Sequence, residues 1–86
     1  MIHELASIDD GVILGKNVQV WEYARIRSGA VVGENSIIGR NVYVGPGVII
    51  GKNCKIQNNA LIYEPAVIGD GVFIGGNNTP THTLHS

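Results

Sequence analysis

Cysteine is all but missing from this chain. Cys54 stands alone among 86 residues, which excludes an internal disulfide framework and a cysteine metal cluster and suits a reducing compartment. A dominant charge of one sign is missing as well. Six basic against seven acidic residues give a formal charge of −1, with no run of like charges, so the basic footprint of a nucleic-acid binder is lacking. No apolar run approaches membrane-spanning length, and Met1-Ile2-His3-Glu4 has no basic segment followed by an apolar core. From these absences we expect a soluble, cytoplasmic chain with no nucleic-acid partner and no membrane. The length allows one domain, whose core would be modest in an ordinary globule.

What the chain has instead is a period. Steps of six residues from Ile8 land on Ile8, Leu14, Val20, Ile26, Val32, Ile38, Val44, Ile50, Ile56, Ile62, Ile68 and Ile74, all aliphatic, in a sequence only 44% hydrophobic. A period of six belongs neither to an amphipathic helix nor to a simple strand alternation, and it marks a hexapeptide parallel β-helix. Three residues beyond each aliphatic stop lies Gly or Asn, with Tyr23 and Pro65 as the exceptions. These two residue types tolerate left-handed backbone angles best, so a tight turn is expected once per hexad. The next position is mostly small, as in Val18, Ala24, Ala30, Ser36, Cys54 and Ala60. Small inward residues at the corners and larger aliphatics on the flats fill a narrow prism. Three hexads make a coil of 18 residues, so residues 8–79 make about four coils, roughly 19 Å tall at about 4.8 Å per layer. The predicted organisation is an all-β chain, with a β-helix over residues 1–79 and a polar C-terminal tail over residues 80–86.

Two places strain the pattern. Pro65 occupies a turn position but cannot reach positive φ, which predicts a different, locally widened corner. The ends need caps to hide the apolar cross-section; the residues before Ile8, with Ile2 still in register, make a lower cap, whereas Pro80 interrupts the upper end.

Residues flanking each stop should face outward. The Leu14 face then shows Ile13, Val31, Ile49 and Val67 beside Gly15, Gly33, Gly51 and Gly69, an apolar strip suited to self-association. The Ile8 face should bring Asp9 and Arg27 together one rung apart. The Val20 face is mixed, with Gln19, Ile37, Lys55 and Phe73 beside Trp21, Gly39, Gln57 and Gly75.

The segments at residues 2–8, Gly15-Lys16-Asn17-Val18, Val42-Tyr43-Val44-Gly45-Pro46-Gly47, Cys54-Lys55-Ile56-Gln57-Asn58-Asn59 and Gly71-Val72-Phe73-Ile74-Gly75 are similar to the amino-terminal coils of the hexapeptide-repeat acyltransferases. Within that superfamily they most resemble the sugar-nucleotide N-acetyltransferases of bacterial surface-polysaccharide synthesis. The resemblance implies a single-stranded left-handed β-helix, a homotrimer, acetyl-CoA as co-substrate rather than a permanently bound cofactor, and a nucleotide-sugar substrate. It also implies a chain about twice as long. From the missing coils we expect the 86 residues alone to have little or no turnover. The alternative is a self-associating scaffold without catalysis.

Acyl transfer to an amine needs a proton acceptor, commonly a histidine. His82 stands where the resemblance places a polar catalytic residue, beside Thr81, and is the candidate catalytic residue. His82 and His85 read equally as part of a polar tail. As a His-x-x-His pair they resemble the zinc-dependent carbonic anhydrases of this fold, but a third ligand is missing, so no metal site is assigned. His3 reads as a surface residue of the first strand. Trp21, Tyr43 and Tyr63 are outward aromatics that fit either a stacked nucleotide base or an interface.

Overall fold

In a computed structural model that describes residues 1–75, a left-handed backbone angle recurs every six residues. It falls on Gly11, Gly29, Gly47 and Gly71, and on Asn17, Asn35, Asn41, Asn53 and Asn59. Tyr23 takes it too, at φ 62° with its side chain exposed, although a bulky L residue reaches this region only at a cost. Pro65 is the one member of this column between residues 11 and 71 without it. Its corner passes through a cis Glu64–Pro65 peptide, yet the Ala66 N–H still donates to the Tyr63 carbonyl across the turn at 3.0 Å.

Between corners the chain has room only for two-residue strands, twelve in all among the described residues. They stack as three parallel sheets. The Ile8 face comprises β1 (Ser7–Ile8), β4 (Arg25–Ile26), β7 (Tyr43–Val44) and β10 (Leu61–Ile62). The Leu14 face comprises β2 (Ile13–Leu14), β5 (Val31–Val32), β8 (Ile49–Ile50) and β11 (Val67–Ile68). The Val20 face comprises β3 (Gln19–Val20), β6 (Ile37–Ile38), β9 (Lys55–Ile56) and β12 (Phe73–Ile74). Every pair is parallel and offset by one full coil, as in Ser7↔Arg25, Val31↔Ile49 and Phe73↔Lys55. The result is a parallel β-helix of about four coils, of the left-handed class that hexapeptide repeats build, with no helix among the described residues. The end of the predicted fourth coil and the tail at residues 80–86 lie outside the described residues.

Alternation along each strand turns the aliphatic stop inward. Ile26, Ile38, Ile50, Ile56, Ile62 and Ile68 are fully buried, and Ala24, Ala30, Ala60 and Ala66 fill the corners between them. Uniform six-residue spacing lets each side chain rest on its equivalent in the next coil, so the core is a stack of like layers.

The lower end is capped as the register of Ile2 predicts. Ile2 forms a parallel bridge with Val20; Val20 N–H donates to the Met1 carbonyl and His3 N–H to the Val20 carbonyl, both at 2.8 Å. The Met1 ammonium donates to the Val18 carbonyl at 2.8 Å. This cap pairs with β3 only, so Ile8 and Leu14 on the other two faces remain half-buried.

Glycines outside the turns have a different purpose. A Cβ on Gly33 would lie 2.5 Å from the Gly51 carbonyl carbon, and one on Gly15 2.6 Å from the Glu34 nitrogen. The glycine column of the Leu14 face therefore admits the backbone of the next coil of the same chain.

Candidate functional site

Outward side chains give each face a distinct chemistry. On the Ile8 face, Arg27 Nε donates to Asp9 Oδ2 at 2.8 Å, the rung-to-rung pair expected from the spacing. The Asp9 hydrogen bond, then its charge, then Tyr43 raise the Arg27 pKa further above its ordinary value, so this guanidinium stays cationic at any ordinary pH. Both partners are about two-fifths exposed, and water screens much of their attraction. Above them the Tyr43 and Tyr63 rings pack with centroids 5.5 Å apart and a tilt of 47°. The two rings occupy each other's faces and are less available to a nucleotide base than isolated aromatics would be.

The Leu14 face carries the apolar strip. Ile13, Ile49 and Val67 are 62%, 46% and 38% exposed, and Val31 between them is half-buried. Their strands stack in one sheet, which makes the strip continuous through all four coils.

The Val20 face holds a groove of about 290 Å³. Its floor is Gly39, which is buried and has no room for a side chain: a Cβ there would lie 2.6 Å from Asn58 Oδ1 and 2.9 Å from the Ile56 carbonyl oxygen. Trp21 and Gln57 stand one coil below and one coil above Gly39 in the same column, while Arg40 and Lys55 line the sides. Asn58 Oδ1 accepts from the Arg40 backbone N–H at 2.9 Å, which fixes the corner from which Arg40 projects. Among the described residues the ion pairs are Arg27–Asp9 and Lys52–Glu34; Arg40 and Lys55 join neither. A second, wider opening of about 610 Å³ lies below, where Met1, Asn17 and Asn35 meet Trp21.

The sequence candidates fare unevenly. His82 and His85 lie outside the described residues. His3 is half-buried in the cap, where its Nδ1 accepts from the Leu5 N–H at 3.1 Å. Cys54 is buried. Among the described residues no three His, Cys, Asp or Glu side chains gather as metal ligands. Trp21 does line a groove, but its cationic neighbours Arg40 and Lys55 were not singled out by sequence. The signal was there: Gly39 leaves a gap between Trp21 and Gln57 in the column they share.

A profile described as bacterial transferase hexapeptide (six repeats) matches residues 29–64 and 47–79, more than half of the chain. No curated protein matches it by sequence. Among solved structures, the acetyltransferase domain of PglB from Neisseria gonorrhoeae FA1090 superimposes with a TM-score of 0.83 at 17% identity, over 98% of this chain and 50% of that one. A mutant GDP-perosamine N-acetyl transferase from Caulobacter crescentus, solved with CoA and GDP-perosamine, gives 0.66 at 19% identity over 99% and 49%. The CcmM N-terminal domain, solved in complex with CcmN, gives 0.62 at 15% identity over 94% and 91%. At these identities the likeness is one of fold. The chain spans about half the length of the first two.

Proposed function

Because the chain belongs to the bacterial transferase hexapeptide family, we propose that it forms the β-helix portion of a coenzyme-A-dependent sugar-nucleotide N-acetyltransferase of surface-polysaccharide synthesis. The observation that carries this reading is the family match over an uninterrupted hexapeptide stack. Support comes from relatives in fold that are acetyltransferases, one of them solved with CoA and GDP-perosamine. In the reaction, the sugar amine attacks the thioester carbonyl of acetyl-CoA; a C–N bond forms, the C–S bond breaks, and the thiolate leaves as the amine gives up a proton. His82 is the proposed proton acceptor.

The working unit is a homotrimer in the cytoplasm, with Ile13, Val31, Ile49 and Val67 near the subunit contacts. Fully burying one such side chain contributes roughly 1.5–3 kcal/mol. Four per subunit compete with an association cost of about 4–15 kcal/mol. The 86 residues alone should turn over slowly, because thioester and amine must be held in near-attack geometry and a misplacement of about 1 Å costs roughly a hundredfold.

The second reading is a self-associating scaffold without catalysis. It is favoured by the exposed apolar strip and by likeness in fold to a β-helix domain of similar length that was solved in complex with another protein. One experiment separates the two. Chain, acetyl-CoA and an amino-sugar nucleotide are incubated while free thiol is followed, and acetyl-CoA binding is measured in parallel by calorimetry. Binding with slow thiol release is the expected result. Robust turnover abolished by His82→Ala would overturn the expectation of inactivity and establish His82. Neither binding nor turnover would leave the scaffold.

A further inference from the structure

The groove on the Val20 face is built as a slot. Coils are about 4.8 Å apart, so Trp21 and Gln57, separated by one intervening coil, face each other across roughly 9.6 Å. Only Gly39 lies between them, and no side chain fits there. The opening is thus a necessity of the local packing: anything larger than glycine would meet Asn58 Oδ1 and the Ile56 carbonyl. An indole forms one wall, 38% exposed. A flat ring entering the slot could stack on it.

Charge in the slot has one sign. Arg40 projects from the corner on one side and Lys55 from the strand on the other, and neither is in an ion pair among the described residues. Glu22, one coil below Arg40 in the corner column, has only its backbone carbonyl engaged with this region, accepting from Asn41 N–H at 3.2 Å. Guanidinium and ammonium groups on two sides of a narrow slot match an anion with several oxygens. Gln57 offers an amide to a base edge. A polymeric nucleic acid would need more cations along its track than this chain of net charge −1 supplies.

We infer that this slot is a binding site for a nucleoside phosphate, with the base stacked on Trp21 over Gly39 and the phosphate held between Arg40 and Lys55. The inference rests on the acetyltransferase reading for the source of the nucleotide, either the sugar-nucleotide acceptor or the adenosine bisphosphate end of coenzyme A. It does not depend on turnover.

Trp21 is the only tryptophan, so its emission reports on ligands at this residue, and the Arg40 and Lys55 variants assign them to the slot rather than to the opening below it. The full chain is titrated with uridine diphosphate, adenosine 3′,5′-bisphosphate, ribose 5-phosphate and inorganic phosphate, with a free tryptophan derivative correcting for absorbance. Saturable quenching by at least one nucleotide and none by ribose phosphate or phosphate is expected. Arg40→Gln and Lys55→Gln should each weaken it about tenfold, the size of one charge-assisted hydrogen bond, and added salt should weaken it further. Preference for the uridine ligand assigns the site to the sugar nucleotide; preference for the adenosine ligand assigns it to coenzyme A. No saturable quenching at millimolar nucleotide, or equal quenching in a folded Arg40→Gln/Lys55→Gln double variant, overturns the proposal. Absence of acetyl-CoA binding in the calorimetric measurement, with quenching by uridine diphosphate intact, would count against the acetyltransferase reading and leave the slot in place.

Discussion

The Ser36 hydroxyl closes the corner that Cys54 makes one coil above it. Its Oγ accepts from the Cys54 backbone N–H at 3.0 Å and donates to the Gly51 carbonyl at 2.8 Å. At several other corners the corresponding N–H reaches its turn carbonyl directly, as Ala30 does to Arg27 at 3.3 Å and Ala66 to Tyr63 at 3.0 Å. Cys54 extends the arrangement upward, its Sγ donating to the Gly69 carbonyl at 3.0 Å. Both residues occupy one inward column, so the interior of this corner is a polar ladder in an apolar prism. Among the described residues no buried side-chain polar atom lacks a partner.

Ser36→Ala removes the bridge and leaves two buried backbone groups to find each other across a corner shaped for an inserted oxygen. A loss of about 1–3 kcal/mol is expected, read as a lower urea midpoint. Cys54→Ser keeps a donor in the same place and should stay within about 1 kcal/mol of the parent. An unchanged midpoint in Ser36→Ala would show that the ladder contributes nothing.

Two glycine substitutions separate close approach from backbone angle. Gly33→Ala forces a methyl into the Gly51 backbone and should cost about 3 kcal/mol or more. Gly47, at φ +70° with its nearest obstacle 4.0 Å away at Glu64 Oε2, asks only for the left-handed angle, so Gly47→Ala should cost about 1–2 kcal/mol. Thermal midpoints in the opposite order would contradict this account of the glycine column.

Tyr23 meets the opposite situation, a side chain at a position that favours its absence. Tyr23→Asn keeps the corner, relieves the angle and removes little packing, since the ring is 58% exposed. A gain of roughly 0.5–1 kcal/mol is expected. A destabilised variant would mean that the Tyr23 ring makes contacts that outweigh its backbone.

Ile49→Asp places a charge in the middle of the apolar strip at a position 46% exposed, so the fold should survive while association fails. Sedimentation velocity should show the parent as a trimer and the variant as a monomer with an unchanged far-ultraviolet spectrum. A parent that sediments as a monomer, or a variant that remains a trimer, would remove the strip from the interface.

Much of this was legible in order of residues because in this solenoid residues 18 apart in sequence stack directly on one another. The coil of 18 residues predicted the pairing of Asp9 with Arg27, and they pair at 2.8 Å. Ile2 in register predicted the cap on β3. Pro65 was expected to break the corner pattern, and its corner is the one between residues 11 and 71 without a left-handed angle. Tyr23, by contrast, conforms against its own preference, in step with the corner stacked above it, where Asn41 carries the same angle. The candidate site was less legible. His82 falls outside the described residues, and the slot depends on a missing side chain.

The sequence by itself determined the period, the inward columns and the identity of the three faces, since hydrophobic burial every sixth residue admits one register. Tertiary structure decided what lies across the coils. Gly39 opens a slot only because Asn58 and Ile56 crowd it from the next coil, and Ser36 serves a corner whose ends are Gly51 and Cys54. Such relations depend on differences of a few tenths of an ångström in the spacing between backbones stacked 18 residues apart, which a pattern of residue types does not carry.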